Sequence, residues 1–183
     1  SDGTSWADAY QDLQDALDDA REAGDIDAEI WVAAGTYRPD RGTGDQTVAF
    51  ELFGNVSLYG GFAGTETLAS QSNPMVNLTI VDGGETTQCV TNINVAPSAP
   101  AAVLRGFTLR KGRDSEGGGI LLQNSDALIV QCIFENNSAG DFGGAVGIRG
   151  NGSPQFINCT FRNNGEGATN PLNTKGGGGV FVY

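Results

Sequence analysis

A repeat of about 27 residues in the second half of the chain constrains the fold more than any other feature. Residues 130–137 (VQCIFENN) match residues 157–164 (INCTFRNN), and a glycine-rich strand start follows each of them, at 143–146 and 177–180. One unit earlier, residues 106–109 followed by 118–120 keep the same rhythm. A fixed period of this size is typical of stacked repeats, in which each unit buries its apolar face only against its neighbours.

Alternation within the repeat predicts which side chains point inward. Cys132 and Phe134 face one way, whereas Ile133 and Glu135 face the other, as in a β-strand. In-register stacking then predicts three columns, which consist of Leu109, Phe134 and Phe161; of Phe107, Cys132 and Cys159; and of Asn137 and Asn164 at the next corner. The two cysteines are interpreted as small buried hydrophobes, and a disulfide between neighbouring rungs is left open.

The first half of the chain follows the same plan less regularly. Residues 48–52, 56–62, 78–83 and 89–93 are predicted strands, whereas 38–47, 63–77 and 165–175 are predicted excursions between them. We therefore predict an all-β fold, a right-handed parallel β-helix (a pectin-lyase-like solenoid) of about six coils. Residues 30–183 form one continuous domain in this prediction.

Residues 1–29 are predicted to form an N-terminal cap. The spacing of Trp6, Tyr10, Leu13 and Leu17 indicates one amphipathic helix over residues 5–23. Ser5 with Asp8 fits a capping box and Gly24 fits a helix stop. Since the first coil of a solenoid exposes unpaired backbone groups and an apolar cross-section, we expect the apolar stripe of this helix to cover that end.

Charge and composition exclude several function classes. The net charge is −12, and residues 1–51 carry −10 of it, with 13 acidic and 3 basic residues. The sequence has no basic stripe of the kind that binds nucleic acid. It also has no run of about 18 apolar residues that could span a membrane. The chain has no histidine, which removes the commonest general base and metal ligand.

Two motifs resemble those of a known group of proteins. Residues 134–137 (FENN) with 143–146 (GGAV) resemble the paired repeats of the chlamydial polymorphic outer membrane proteins, and residues 161–164 with 178–180 repeat the pattern. Residues 2–17 and 30–38 (IWVAAGTYR) are similar to the cap and first rung of secreted bacterial β-helix proteins of the planctomycete type. The resemblance implies secretion, cell-surface display, a structural or adhesive role, and a longer parent with further coils after Tyr183. It implies no catalytic residues.

A charged segment supports the alternative of a polysaccharide-active enzyme. Its members are Arg110, Lys111, Arg113, Asp114 and Glu116. A lyase that acts on uronates needs a cation for the sugar carboxylate and a base for the α-proton. A glycoside hydrolase needs two facing carboxylates. No cofactor is expected, but as an alternative Asp82, Glu85, Asp114 and Glu116 offer oxygen ligands for Ca²⁺. The simpler interpretation is a charged turn between rungs.

The favoured function is an extracellular structural or adhesive β-solenoid of a bacterial cell surface, with cell-surface glycans as candidate partners. The apolar end strand, which contains Val180, Phe181, Val182 and Tyr183, is expected to continue into further coils or to dock head-to-tail on another copy. Together with Trp6, Tyr10, Leu13 and Leu17 of the cap, these residues are the predicted assembly surfaces.

Overall fold

The computed structural model describes residues 2–24, 27–54, 56–93, 101–166 and 178–182. Its strands, numbered in chain order, form four sheets in which every pairing is parallel. The first sheet contains β1 (Glu29–Ala33), β4 (Ser57–Phe62), β7 (Val103–Arg105), β11 (Leu128–Val130) and β15 (Gln155–Ile157). The second contains β2 (Gly35–Tyr37), β5 (Thr79–Asp82), β8 (Phe107–Arg110), β12 (Ile133–Glu135) and β16 (Thr160–Arg162).

The remaining strands complete the other two sides. The third sheet contains β3 (Phe50–Glu51), β6 (Val90–Ile93), β10 (Ile120–Gln123), β14 (Val146–Arg149) and β18 (Val180–Val182). A shorter fourth sheet contains β9 (Arg113–Glu116), β13 (Ser138–Phe142) and β17 (Gly165–Glu166). The chain visits the sheets in the same order on every circuit, so the fold is an all-β parallel β-helix, as predicted.

Each circuit of the chain is one rung, and five rungs are described. The first and second (β1–β3 and β4–β6) are called the front rungs, and the third to fifth (β7–β10, β11–β14 and β15–β18) the rear rungs. The superhelix makes about four turns from first to last, fewer than the six coils expected. The expected six coils include segments 56–62, 78–83 and 89–93 as separate coils, whereas these segments are three sides of the second rung. A local pattern identifies strands but does not show how many of them close one circuit.

The predicted apolar columns are confirmed. Leu109 pairs with Phe134, and Phe134 with Phe161, whose ring is stacked 4.9 Å away between centroids. Two residues earlier, Phe107 and Cys132 are buried and Cys159 is half-buried. Val81 of the second rung pairs with Leu109 and continues the first column, and one continuous core runs from the front to the rear rungs.

Buried Asn137 and half-buried Asn164 form a ladder at the corner after β12, as predicted. Asn137, 1% exposed, donates from Nδ2 to the Leu109 carbonyl (3.0 Å) and to Asn164 Oδ1 (3.0 Å), and its Oδ1 accepts from the Gly112 amide (2.8 Å). Asn164 donates in turn to the Phe134 carbonyl (2.9 Å). The left-handed backbone at this corner belongs to the preceding residues Asn136 and Asn163. The ladder amides themselves satisfy backbone groups that the corner leaves unpaired.

Glycines at the start of the third-sheet strands allow two corners to approach closely. A Cβ on Gly118 would lie 2.1 Å from the Ser138 carbonyl oxygen, and one on Gly144 would lie 2.2 Å from that of Gly165. A side chain therefore cannot be placed at either position without moving backbone. This steric requirement explains the paired glycines of the repeat.

The N-terminal cap differs from the single helix predicted over residues 5–23. A 3₁₀ turn spans Trp6–Asp8, with Ser5 as its cap, and the α-helix α1 spans only Leu13–Glu22. Asp12 is extended and caps α1 by accepting from the Gln14 amide (2.8 Å), so the chain breaks where one helix was expected. Gly24 ends the helix region at φ +66°, as predicted.

Only part of the predicted apolar stripe covers the end of the solenoid. Leu13 and Leu17 are buried in the common core. Trp6 instead packs beside Trp31 and Phe62, at centroid distances of 6.4 and 5.7 Å. Tyr10 lies outside α1 and donates its hydroxyl to Asp19 (2.8 Å). The helix therefore caps the core through two leucines, while the segment before it folds beside the first sheet.

Candidate functional site

The charged segment 105–116 is distributed over several faces of the third rung. Arg110 ends β8 and its Nε lies 2.7 Å from Asp82 Oδ2 of the second rung. Glu116 ends β9 and accepts from Arg149 of the fourth rung at 2.9 Å. Two of the five predicted site residues are thus bound to partners on neighbouring rungs.

Arg110 belongs to a column of alternating charge that the sequence analysis missed. The strand register places Asp82, Arg110, Glu135 and Arg162 opposite one another on four consecutive rungs. Arg162 Nε donates to Glu135 Oε2 at 2.7 Å, which repeats the Arg110–Asp82 contact two rungs earlier. Such partly exposed pairs each contribute about 1 kcal/mol or less, but opposite charges favour this register over a shifted one.

Lys111 occupies a corner with left-handed backbone. Its φ of +51° matches those of Asn136 (+54°) and Asn163 (+53°), which hold the equivalent position in the next two rungs. The Lys111 side chain is exposed. This residue therefore forms a turn, in line with the simpler interpretation of the segment.

Arg113 and Asp114 face a cavity of about 440 Å³, together with Glu85 of the second rung. Gln46, Thr86 and Ser115 also line it. Asp114 accepts from the amide (2.5 Å) and hydroxyl (2.9 Å) of Ser115. Among the described residues, the Arg113 side chain forms no hydrogen bond or ion pair, so its guanidinium is available to a ligand. A larger groove of about 900 Å³ adjoins this cavity through Gln46 and Asp114.

The four candidate calcium ligands are not brought together. Glu85 and Asp114 share the cavity, whereas Asp82 is held by Arg110 and by the Gly84 amide (2.9 Å), and Glu116 is held by Arg149. Within the described ranges, no group of three or more acidic or cysteine side chains is arranged to hold a metal ion.

The cysteines are chemically shielded. Burial raises the pKa of the Cys89 and Cys132 thiols to about 12 and also raises that of half-buried Cys159. All three are free thiols. Since the thiolate is the nucleophilic form, burial keeps these thiols unreactive. Cys132 is a buried core side chain, as predicted, whereas Cys159, predicted to be buried too, is half-buried at the last rung.

The predicted assembly strand is exposed at the last rung. Val180 and Val182 of β18 are 42% and 65% exposed, and Phe161 of β16 is 39% exposed. Phe181 stacks on Phe142 with ring centroids 4.4 Å apart. Tyr183, also part of the prediction, lies outside the described residues.

Several residues of the site could not be found from the sequence. Gln46 and Thr86 come from the front rungs, so no repeat links them to Arg113. The ion-pair partners Asp82 and Arg149 lie 28 and 33 residues from Arg110 and Glu116. The Glu135–Arg162 pair does leave a signal in the sequence, because these two opposite charges lie one repeat apart.

In comparisons with known proteins, no protein-family model, no curated protein and no solved structure matched the chain. No helix in the described part of the chain is long and apolar enough to cross a membrane.

Proposed function

We propose that this protein is an extracellular structural or adhesive β-solenoid of a bacterial cell surface. The observation that carries the proposal is the use of charge in segment 105–116. Arg110 and Glu116 pair with residues on neighbouring rungs, and Lys111 forms a corner. These residues stabilise stacking instead of converging on one reacting centre.

The extracellular location rests on sequence motifs. Residues 134–137 and 143–146, with their repeats, resemble proteins displayed on bacterial surfaces. In the structure these motifs supply the phenylalanine column, the asparagine ladder and the close glycine corner. The physical role of the motifs is thus rung stacking, which suits a rigid display scaffold.

The last rung supports a proposal of end-to-end stacking. Exposed Phe161, Val180 and Val182 would be covered by one more rung, supplied by further coils or by a second copy. The acidic cap opposes stacking of bare copies, since residues 1–51 carry −10.

Electron microscopy of the purified chain, with and without calcium, tests the structural proposal. We expect filaments or ordered arrays where calcium or added salt screens the acidic cap, and we expect Val182→Asp to shorten them because it places a charge on the stacking surface. Single particles under all conditions, combined with turnover of a polysaccharide, would contradict the proposal.

The cavity beside Arg113 favours a second candidate function, a polysaccharide lyase or glycoside hydrolase. An unpaired guanidinium beside Asp114 and Glu85 offers a cation and two carboxylates within one space. Uronic-acid polysaccharides are the substrates to assay. If the candidate is right, Lys111→Ala with Arg113→Ala abolishes turnover without changing the melting temperature, while Arg105→Ala leaves turnover intact. Equal behaviour of all variants would exclude a site there.

A further inference from the structure

The last strand of the second sheet, β16, has a free edge. It lies at one end of the strand order of this sheet, with β12 as its neighbour. The Thr160 amide donates to the Cys132 carbonyl (2.9 Å), and the Arg162 carbonyl accepts from the Asn136 amide (3.2 Å). Since alternate residues of a strand direct their backbone groups to opposite sides, the amide and carbonyl of Phe161 point away from β12. One more parallel strand is the element that pairs with them.

The asparagine ladder is open at its last member. Asn137 donates from its backbone amide and from Nδ2 to Asn164 Oδ1 on the following rung, each at 3.0 Å. Asn164 repeats the inner bond, to the Phe134 carbonyl (2.9 Å), but within the described residues its backbone amide and second Nδ2 hydrogen have no acceptor. Asn164 is half-buried, so unpaired donors are costly there. The ladder therefore favours an incoming side chain with an amide oxygen at this position.

The charged column specifies the residue two positions before that asparagine. Arg110 lies between Asp82 on one rung and Glu135 on the next, whereas Arg162 has only Glu135 opposite it. The Arg162 side chain is 56% exposed. Opposite charges that face one another across a sheet stabilise it and like charges destabilise it. The open side of Arg162 therefore favours Asp or Glu.

The apolar column specifies the residue next to that acid. Phe161 stacks on Phe134 and is 39% exposed, although Phe134 is fully buried. The two earlier members of the column are Val81 and Leu109, which pair with one another in register. A further large apolar side chain would cover Phe161 in the way that Phe161 covers Phe134.

We propose, on the basis of the stacking role proposed above, that the last rung binds a parallel strand of defined pattern. The strand carries a large apolar residue opposite Phe161, an acidic residue opposite Arg162 and an asparagine opposite Asn164. Residues 134–137 (FENN) have this pattern, whereas residues 161–164 (FRNN) have a basic residue in place of the acid. The occupant is thus a strand of the chain's own repeat type, selected by charge.

Amide NMR titrations of the isotope-labelled full chain, under reducing conditions, test this with two synthetic peptides. One is VQCIFENN (residues 130–137), and the other is the same peptide with Glu135→Arg. The first peptide should shift the amides of Phe161 and Asn164, with a dissociation constant on the order of 10⁻⁴ M. The second should bind about fivefold more weakly, because it places like charges opposite one another.

A charge exchange in the chain provides the matched test. Arg162→Glu should reverse the preference, so that the peptide with Glu135→Arg binds about fivefold better than the other. Arg105→Glu makes the same change in net charge on the third rung, away from the free edge, and should leave the original preference intact. Melting temperatures of both variants check that each is folded.

Three results would overturn the proposal: no shift of these amides with either peptide, equal affinity for the two peptides, or an Arg162→Glu chain that keeps the original preference. Broadening of the Phe161 amide as the chain alone is concentrated, without a response to peptide, would assign the edge to a second copy instead. Filaments without peptide discrimination would contradict this strand site and leave the stacking role standing. Discrimination by a chain that forms no filaments would support the strand site and contradict end-to-end stacking of copies.

Discussion

The front and rear rungs share three sheets, only the rear rungs contribute to the fourth, and the two groups are held together differently. The front rungs are interrupted by long segments, such as residues 63–78. Apolar contacts hold them, since Leu13 and Leu17 cover the core and Trp31 stacks on Phe62 at 4.9 Å, together with bonds from buried Thr79 and Asn92 to carbonyls of the first rung. The rear rungs repeat every 25 to 27 residues, except for the 34-residue step from β14 to β18, and they add an asparagine ladder, glycine corners and paired charges.

This difference shows which interactions need a strict repeat. Burial of apolar area is non-directional, so Leu17 contributes whatever the length of the neighbouring loops. A ladder amide such as Asn137 bonds only when the next rung presents its partner in register. Regular sequence is therefore required where polar side chains stack on one another, and irregular sequence is tolerated where the contacts are apolar or go to backbone carbonyls, as Asn92 does with Leu52.

Gly144→Ala should have the largest effect, because it attacks the close corner of the rear rungs. The new Cβ would lie 2.2 Å from the Gly165 carbonyl oxygen, so backbone must move, and we expect a loss of about 4 kcal/mol or more in the free energy of unfolding. Gly178→Ala is the matched control at the same corner of the last rung, where the nearest atom is 3.3 Å away. Urea unfolding measures both, and equal losses would refute the corner argument.

Leu17→Ala tests the apolar cap of the front rungs. Leu17 is fully buried, and its truncation leaves a cavity at the end of the core, so we expect a loss of about 3 kcal/mol. Met75→Ala, a truncation at an 85% exposed side chain, should change stability by less than about 0.5 kcal/mol. If Leu17→Ala were as mild as its control, the helix would not be a cap.

Asn137→Ala tests the polar ladder of the rear rungs. The change leaves the Gly112 amide and the Leu109 carbonyl without their buried partner, and we expect a cost of about 2 kcal/mol. Native-state hydrogen exchange should show faster exchange of the Gly112 amide. Exposed Asn151→Ala is the control, and unchanged protection at Gly112 in Asn137→Ala would contradict the ladder's role.

Lys111→Asn should have the smallest effect and the opposite sign. Asn holds the same left-handed corner at positions 136 and 163, so the change should stabilise the chain by about 0.5 kcal/mol. Thermal unfolding at matched pH measures it, with exposed Lys111→Ala as the comparison that should not stabilise. A loss of stability in Lys111→Asn would indicate a side-chain role for this lysine.

The sequence predicted the rear rungs better than the front ones. The repeat places Leu109, Phe134 and Phe161 in one column because equivalent residues must stack when rungs are in register. No such repeat marks where a front rung begins and ends. The sequence pattern therefore counts the three sides of the second rung as separate coils. The prediction of one continuous cap helix was wrong at Asp12. The carboxylate of Asp12 accepts from the Gln14 amide and starts a new helix there, although the apolar periodicity links Trp6 to Leu13.

The candidate site was predicted only in part. Proximity in sequence suggested one cluster at residues 110–116, yet adjacent residues at a rung corner point to different faces. Arg110 and Glu116 therefore pair with different rungs. Arg113 and Glu85 line one cavity, but they come from different rungs and no repeat relates their positions. Such contacts depend on loop paths, which the sequence pattern does not specify.

The most direct test of the central claim, that the charges of segment 105–116 join rungs, is a charge exchange at Glu116 and Arg149. Glu116→Arg or Arg149→Glu alone places like charges beside one another and should cost about 1 to 2 kcal/mol of unfolding free energy, whereas the double exchange restores an opposite pair. The account predicts that the double variant recovers most of the loss. Additive losses in the double variant, or single variants as stable as the parent, would contradict it.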